Sequence, residues 1–483
     1  MTSTKEELHA LLAEIEAGPD GPEIGAFFDF DGTLIAGYSA EAFVLDAIRR
    51  RKVNPQTMVR SLLAGLDMQL RGSDVTALME IAADAAKGRR EETMIDLGRR
   101  LFRERVAGTV YPEARAIVKA HQRKGHTVAL ASSATRFQAG PLAGDLGIQH
   151  VLCTQVEVDE DGRLTGRIDG PILWGKNKAD AVAAFAAENG VKLPESYGYA
   201  NGDEDVEFLE TVGRPRPLNP ASGLARVAAE RGWPIHRFEP RGRPGIIPMA
   251  RTAAALGGLA TTVGVGVGLG LINRSRRTAV NFAATAGPEV ALGLAGVDLE
   301  VTGEEHLWSH RPAVFVFNHQ SSFDVIVISR LLQRDFIAVA KAELARDPRF
   351  APLGALAGVA YIDRSDQSQS RAALAPVVAK LRSGISLAIA PEGTRSATPT
   401  LGPFKKGAFH IAVQAEVPVV PVVIRNAGEI MWRASLVARP GTVDVAVLPP
   451  VPTQGLGLDD VDDLADRVRQ QFVDTLDDWP RPV

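Results

Sequence analysis

The chain of 483 residues holds one cysteine, Cys153. A lone thiol closes no internal disulfide, so a reducing, cytosol-facing setting is expected. An excess of one charge is also missing: 54 Lys and Arg stand against 58 Asp and Glu, for a net charge of −4. A nucleic-acid-binding domain is usually basic, so no nucleic-acid partner is expected. The opening, "MTSTKEELHA", has no basic region followed by an apolar run, and no cleaved signal peptide is expected. A Gly-x-Ser-x-Gly elbow is absent, which removes one common way of presenting a nucleophilic serine. There is no internal repeat and no low-complexity tract.

What is present is ordinary globular composition, 45% hydrophobic and 23% charged, in a chain long enough for at least two cores. One segment departs from it. Residues 252–272, "TAAALGGLATTVGVGVGLGLI", carry no charge. As a helix they would reach roughly 30 Å, about the hydrocarbon thickness of a bilayer. The alternatives are a buried core helix or a Gly-rich loop. Gly264/Gly268 and Gly266/Gly270 have the small-xxx-small spacing of close helix packing in lipid.

The rest alternates strand and helix patterns, which predicts parallel sheets. Residues 1–24 read as an amphipathic helix with Leu8, Leu11, Leu12 and Ile15 on one stripe. Strands are expected at 25–30, 126–132, 150–156 and 196–200, with a helical block at about 37–110 inserted after the first. From 214 the composition turns to Pro, Gly and Arg, and a linker is expected at 221–245. Membrane-associated helices are expected at 246–297. A second α/β pattern follows at 298–452, with strands in "AVFVF", "SLAIA" and "VPVVPVVI". A helical tail at 453–483 carries Val461, Leu464, Ala465, Val468 and Phe472 on one face.

Two clusters carry chemistry. "FFDFDGTL" sets Asp29 and Asp31 two apart at a strand end, where both point the same way. Two such carboxylates suit a divalent cation and phosphoryl transfer, one attacking phosphorus and the other shuttling a proton. The plain alternative is an Asp-rich helix cap. "NHQSSFD" sets His319 five residues before Asp324. Ser321 and Ser322 are too close in sequence to present a hydroxyl to the ring easily, and no second histidine sits nearby for a metal. What remains is a base that takes a proton from a substrate hydroxyl, with Asp324 orienting the imidazole. The plain alternative is a structural strand-end histidine.

The first cluster resembles the haloacid dehalogenase-like hydrolases, in their phosphoserine phosphatase-like branch, over 25–220. The resemblance implies Asp29 as nucleophile and Asp31 as general acid and base. It implies Ser132 in "LASSATRF" (Ser133 second) and Lys178 in "WGKNKADAV" (Lys176 second) on the phosphoryl oxygens. It implies Mg2+ held by Asp29, Asp31, Asp205 and the residue at 201. Asn201 stands where the family has an aspartate, and Asp203 is the possible substitute. The block at 37–110 matches that branch's small cap.

The second cluster resembles the PlsC-like 1-acylglycerol-3-phosphate acyltransferases over 298–452. "NHQSSFD", "GVAYIDR", "PEGTR" and "VPVVP" follow the four family motifs in order, with Tyr361 for the usual Phe. The resemblance implies His319 and Asp324 as catalytic residues. Arg364, Arg395 and, more weakly, Lys341 would bind the phosphate of lysophosphatidic acid, with Glu392 and Gly393 shaping the pocket. Lys405 and Lys406 are further candidates for acidic headgroups or the donor's phosphates.

Together these imply an α/β chain: a Rossmann-like hydrolase domain with a helical cap, joined through apolar membrane helices to an α/β glycerolipid acyltransferase domain. The expected enzyme is bifunctional. It transfers an acyl chain from acyl-CoA or acyl carrier protein to lysophosphatidic acid, giving phosphatidic acid, and hydrolyses a phosphomonoester. It contacts membrane lipid, at the cell membrane, with both catalytic regions facing the cytoplasm. Two alternatives stand for the first domain: dephosphorylation of phosphatidic acid to diacylglycerol, or a non-catalytic regulatory role.

Overall fold

A computed structural model describes residues 4–50, 75–238, 245–341, 359–362, 375–396, 398–432 and 435–479. The chain forms two compact units, residues 1–242 and 243–483.

The first unit is built on six strands: β1 (Gly25–Phe28), β2 (Thr127–Thr135), β3 (His150–Val158), β4 (Leu164–Asp169), β5 (Tyr197–Ala200) and β6 (Arg214–Pro217). Their order is β4-β3-β2-β1-β5-β6. All pairings are parallel except β3 with β4. β1 and β5 are buried at every position, as strands covered on both faces must be. Phe27, Ala129, Val182, Phe208 and Leu224 fill one side of this sheet. The expected N-terminal helix spans Thr4–Ala17 and buries Leu11 and Ile15.

Between β1 and β2 come helices Ser39–Arg49, Thr76–Ala85 and Glu91–Leu101. Their small core is completed from elsewhere: Ala83 and Met94 pack with Phe137, Val156 and Leu164. The antiparallel β3–β4 ribbon therefore belongs to the cap as much as to the sheet. The Pro-rich stretch from 214 is more ordered than its composition implies. Arg214 N donates to Ser196 O (2.9 Å) and Leu218 N to Ala200 O (2.8 Å), so Pro215 and Pro217 turn outward from β5; on that side His236 N donates to Pro217 O (3.0 Å), and neither proline is asked for an N–H. A helix, Ser222–Arg231, follows.

The second unit opens with helices Ile246–Ile272 and Arg276–Ala295, joined by a turn that Ser275 caps through Thr278 N (3.2 Å). They pack against each other along small residues. A Cβ on Gly266 would meet Ala279 O at 2.8 Å and one on Gly270 would meet Ala279 Cβ at 2.7 Å, whereas Gly264 and Gly268 face open space. Among the described residues, Ile246–Ile272 is the one helix long and apolar enough to cross a membrane, and only 17% of its most apolar window is buried. Leu256, Val265, Val267 and Leu271 lie exposed on it. It is not a core helix.

Seven strands follow: β7 (Val297–Thr302), β8 (Val314–Phe317), β9 (Phe336–Lys341), β10 (Ala360–Ile362), β11 (Ser386–Ile389), β12 (Val419–Ile424) and β13 (Gly441–Val447). The order is β10-β9-β11-β8-β12-β13-β7, parallel except β12 with β13. Helix Val461–Asp477 buries Val461, Leu464, Ala465, Val468 and Phe472, the stripe read from the sequence.

Candidate functional sites

In both units the chemistry collects beyond the carboxyl ends of parallel strands. The chain runs outward from β1 through β2 and β3, then returns to β5 on the other side of β1. That reversal opens a crevice beyond the strand ends. Asp29 follows β1 directly and extends its pairing, its N–H donating to Tyr199 O (2.8 Å). Lys178 rises from the first turn of helix Lys176–Glu188 and is fully buried. Its Nζ donates to Asp29 Oδ1 (2.8 Å) and to Asp205 Oδ1 (2.5 Å). Burial works against its charge, but the carboxylates of Asp205 and Asp29 outweigh burial and raise its pKa. Asp29 and Asp205 are thus drawn to one ammonium. Thr33, which sequence reasoning passed over, donates to Asp29 Oδ2 (3.2 Å) or to Asn201 Oδ1 (3.0 Å). Its place in "DGT" was the available signal.

Asp31 accepts from Ser39 N (2.7 Å) and Ser39 Oγ (3.1 Å), so the start of the cap helix is fastened to it. Burial, aided by the charge of Asp29 and opposed by the Ser39 bonds, pushes Asp31 up to about 7. Ser132 is buried in β2, its Oγ accepting from Ala134 N (3.1 Å). Two of the three fallback residues, Lys176 and Asp203, are engaged elsewhere. Lys176 is exposed and pairs with Asp180 (2.8 Å). Asp203 accepts from Leu224 N (2.6 Å) at the start of helix Ser222–Arg231, and Asn201, not Asp203, reaches Thr33.

The donor atoms here are all hard oxygens: carboxylates of Asp29 and Asp205 and the amide oxygen of Asn201. Among the described residues no group of three or more His, Cys, Asp or Glu could hold an ion unaided. The set fits Mg2+, which binds through one or two carboxylates and keeps several waters.

In the second unit β8 lies between β11 and β12, and the residues following β8 and β11 meet. His319 Nδ1 is 2.8 Å from Asp324 Oδ2. The carboxylate is fully buried and also accepts from Gln320 N (2.8 Å) and Ser321 N (2.9 Å). An ionised carboxylate only accepts, so the proton sits on Nδ1 and leaves Nε2 as the basic atom. The ring is 22% exposed, enough for a ligand to reach it. Neither loop serine serves it: Ser321 Oγ donates to Met431 O (2.6 Å) and Ser322 Oγ accepts from Arg395 (2.5 Å).

Glu392 is a brace. Its Oε1 accepts from His319 N (2.8 Å), and its Oε2 accepts from Gly402 N (3.1 Å) and the Ser396 hydroxyl. Ser396 N in turn donates to His319 O (2.7 Å). Gly393 adopts φ +75° beside the Lys405 side chain, which brings that lysine next to the motif. Lys406 pairs with Asp462 (2.5 Å) instead. Asn318 locks the loop to β12, exchanging bonds of 2.7 Å with both backbone groups of Ile424. Lys341 ends β9, but its side chain, like the whole of Arg364, lies outside the described residues.

Comparison with known proteins agrees with this division. The haloacid dehalogenase-like hydrolase family matches residues 26–210 and the acyltransferase family residues 298–425. A 1-acyl-sn-glycerol-3-phosphate acyltransferase alpha of Ovis aries is 39% identical over 181 residues, 37% of this chain; the chain spans 63% of that protein's length. An uncharacterized protein of Mycobacterium tuberculosis is 32% identical over 253 residues, 50% of this chain and 84% of that one. A crystal structure of the 1-acyl-sn-glycerophosphate acyltransferase PlsC of Thermotoga maritima is 22% identical, with a TM-score of 0.42, over 49% of this chain and 98% of that chain. The first unit thus carries a match to the haloacid dehalogenase-like hydrolases and the second a match to the acyltransferases.

Proposed function

We propose that the chain is a membrane-associated enzyme with two sites, one acylating lysophosphatidic acid and one hydrolysing a phosphomonoester. The observation that carries the first activity is the His319–Asp324 contact, with Nε2 unpaired among the described residues and both neighbouring serines turned to other partners. Nε2 takes the proton of the lysolipid hydroxyl as its oxygen attacks the thioester carbonyl. The carbon–sulfur bond breaks, and the thiolate of CoA or acyl carrier protein takes the proton back from the imidazolium. Asp324 holds the ring and stabilises its transient charge. Arg395, bonded into the His319–Asp324 loop, and Lys405 supply positive charge for the lysolipid phosphate; Arg364 joins them through its motif.

In the first unit Asp29 attacks phosphorus and Asp31, near 7, gives its proton to the departing alcohol. Asp31, now ionised, takes a proton from the water that attacks the aspartyl phosphate; the acyl phosphate bond breaks, freeing Asp29 and releasing inorganic phosphate. Lys178 and Ser132 steady the phosphoryl oxygens. Asp29, Asp205, Asn201 and the Asp31 region would hold Mg2+, which would supply charge neutralisation there. Gly258 approaches Val290 and Leu294 while Gly270 approaches Ala279, so Ile246–Ile272 runs antiparallel to Arg276–Ala295; this supports a membrane hairpin that enters and leaves through one face, with both sites cytoplasmic.

The test is thiol release from acyl-CoA by the full chain. Release that requires lysophosphatidic acid, with no acylated protein trapped beforehand, is expected. A burst of thiol without acceptor would place the nucleophile on the enzyme and contradict the assignment.

A further inference from the structure

Both carboxyl oxygens of Asp31 are held by a single cap residue. Gly32 N donates to Gly37 O (3.1 Å), which turns the chain back, and the start of helix Ser39–Arg49 returns to Asp31. Ser39 N donates to Oδ1 (2.7 Å), and Ser39 Oγ lies 3.1 Å from Oδ2. Ser39 is 1% exposed, so solvent does not compete for its hydroxyl. A hydroxyl can donate or accept in such a contact, and the two cases differ for an acid. If Ser39 accepted, it would draw the acid proton to itself. If it donates, that proton stays available to another oxygen.

Gln138 decides the direction. It is the third residue of helix Arg136–Leu146, which follows β2 and has Thr135 as its N-cap. Thr135 N and Thr135 Oγ both donate to Gln138 Oε1 (2.9 Å each). A backbone N–H only donates, so the atom it meets is the amide oxygen, and the amide nitrogen is the end that faces Ser39. Nε2 donates to Ser39 Oγ (3.2 Å). The hydroxyl therefore accepts from Gln138 and gives its own proton to Asp31. Polarity runs one way, from the Thr135 backbone through Gln138 and Ser39 to the carboxyl group. The acid proton of Asp31 takes a lone pair that Ser39 leaves open.

We infer that Gln138 is a positioning residue for proton delivery in the first unit: acting through the Ser39 hydroxyl, it keeps the acid proton of Asp31 available to the leaving oxygen. This rests on the phosphatase assignment above. In that step the bond from Asp29 to phosphorus forms, the ester bond from phosphorus to oxygen breaks, and the departing oxygen takes the Asp31 proton. Gln138 acts on the step only through Ser39.

An alkyl ester needs that proton, because an alkoxide leaves poorly; p-nitrophenyl phosphate does not, because its phenolate leaves as an anion. The test compares kcat/KM of the full chain with Mg2+ for p-nitrophenyl phosphate and for the fastest of phosphoserine, glycerol 3-phosphate and lysophosphatidic acid. Gln138→Glu keeps the capping-box acceptor for Thr135 N but cannot donate to Ser39, whose hydroxyl it draws off Asp31. The alkyl-to-aryl ratio of kcat/KM should fall about fivefold or more in Gln138→Glu, and less than about twofold when the same change is made in Ser39→Ala, since the effect passes through the hydroxyl. Ser39→Ala, which keeps the backbone N–H on Asp31, should lower the ratio by itself. An unchanged ratio in both single variants, equal losses on the two ester types, or a similar fall with and without the Ser39 hydroxyl overturns the inference while leaving a phosphatase. Turnover of p-nitrophenyl phosphate alone by the wild type overturns it too, because no proton is then delivered. No phosphate from any ester overturns the phosphatase assignment and the inference with it.

Discussion

Lys178 joins the two buried carboxylates of the first site, and its place next to Lys176 makes a controlled comparison. Removing one partner of a buried ion pair leaves uncompensated charge, which costs about 3–5 kcal/mol. Lys178→Met strands both Asp29 and Asp205 and should lower amide protection in β1 and β5 by about that much in hydrogen exchange. Lys176→Met loses only an exposed pair with Asp180 and should change protection by less than about 1 kcal/mol. Similar losses in the two variants would contradict this assignment of the lysines. At this scale the motifs themselves were legible, because each places a charge at a strand end, where short spacings fix direction. Partners far along the chain were not. Nothing in the sequence shows Glu392 bonding the backbone of His319, or Asp203 reserved for a helix start, since both depend on loops meeting after folding.

At the scale of elements, the glycines of Ile246–Ile272 divide into two sets that composition cannot separate. Gly264 and Gly268 face open space, so alanine there should add roughly 0.5–1 kcal/mol through helix propensity. Gly266 and Gly270 meet the Arg276–Ala295 helix, and alanine there pushes the pair apart. Thermal unfolding of the full chain in detergent should therefore rise for the Gly264→Ala/Gly268→Ala double variant and fall for Gly266→Ala/Gly270→Ala. Equal shifts would mean the helices do not pack this way. Strands with continuous apolar runs, such as β1, β8 and β12, were readable because both faces are buried. β6 was not, because prolines on the outer side of an edge strand resemble a linker. Nor was β7 singled out, although Val297, Leu299 and Val301 alternate with Asp298, Glu300 and Thr302, because the strands named in that region were continuous apolar runs. The tail helix was readable in full, since one periodic stripe decides which side is buried.

At the scale of the molecule, two compact units each carry a site assembled beyond the carboxyl ends of parallel strands. One is an oxygen-rich pocket suited to phosphoryl transfer; the other is an imidazole set on a buried carboxylate. No residue of either constellation belongs to the other, so the two chemistries should be separable by single substitutions. The most direct measurement assays acyl transfer to lysophosphatidic acid and phosphate release on the same preparations of wild type, His319→Ala and Asp29→Asn. His319→Ala should lose about 10²–10⁴-fold in acyl transfer, the worth of a positioned general base, and keep phosphate release. Asp29→Asn should do the reverse. Acyl transfer persisting at the wild-type rate in His319→Ala would contradict the claim that this histidine deprotonates the lipid hydroxyl.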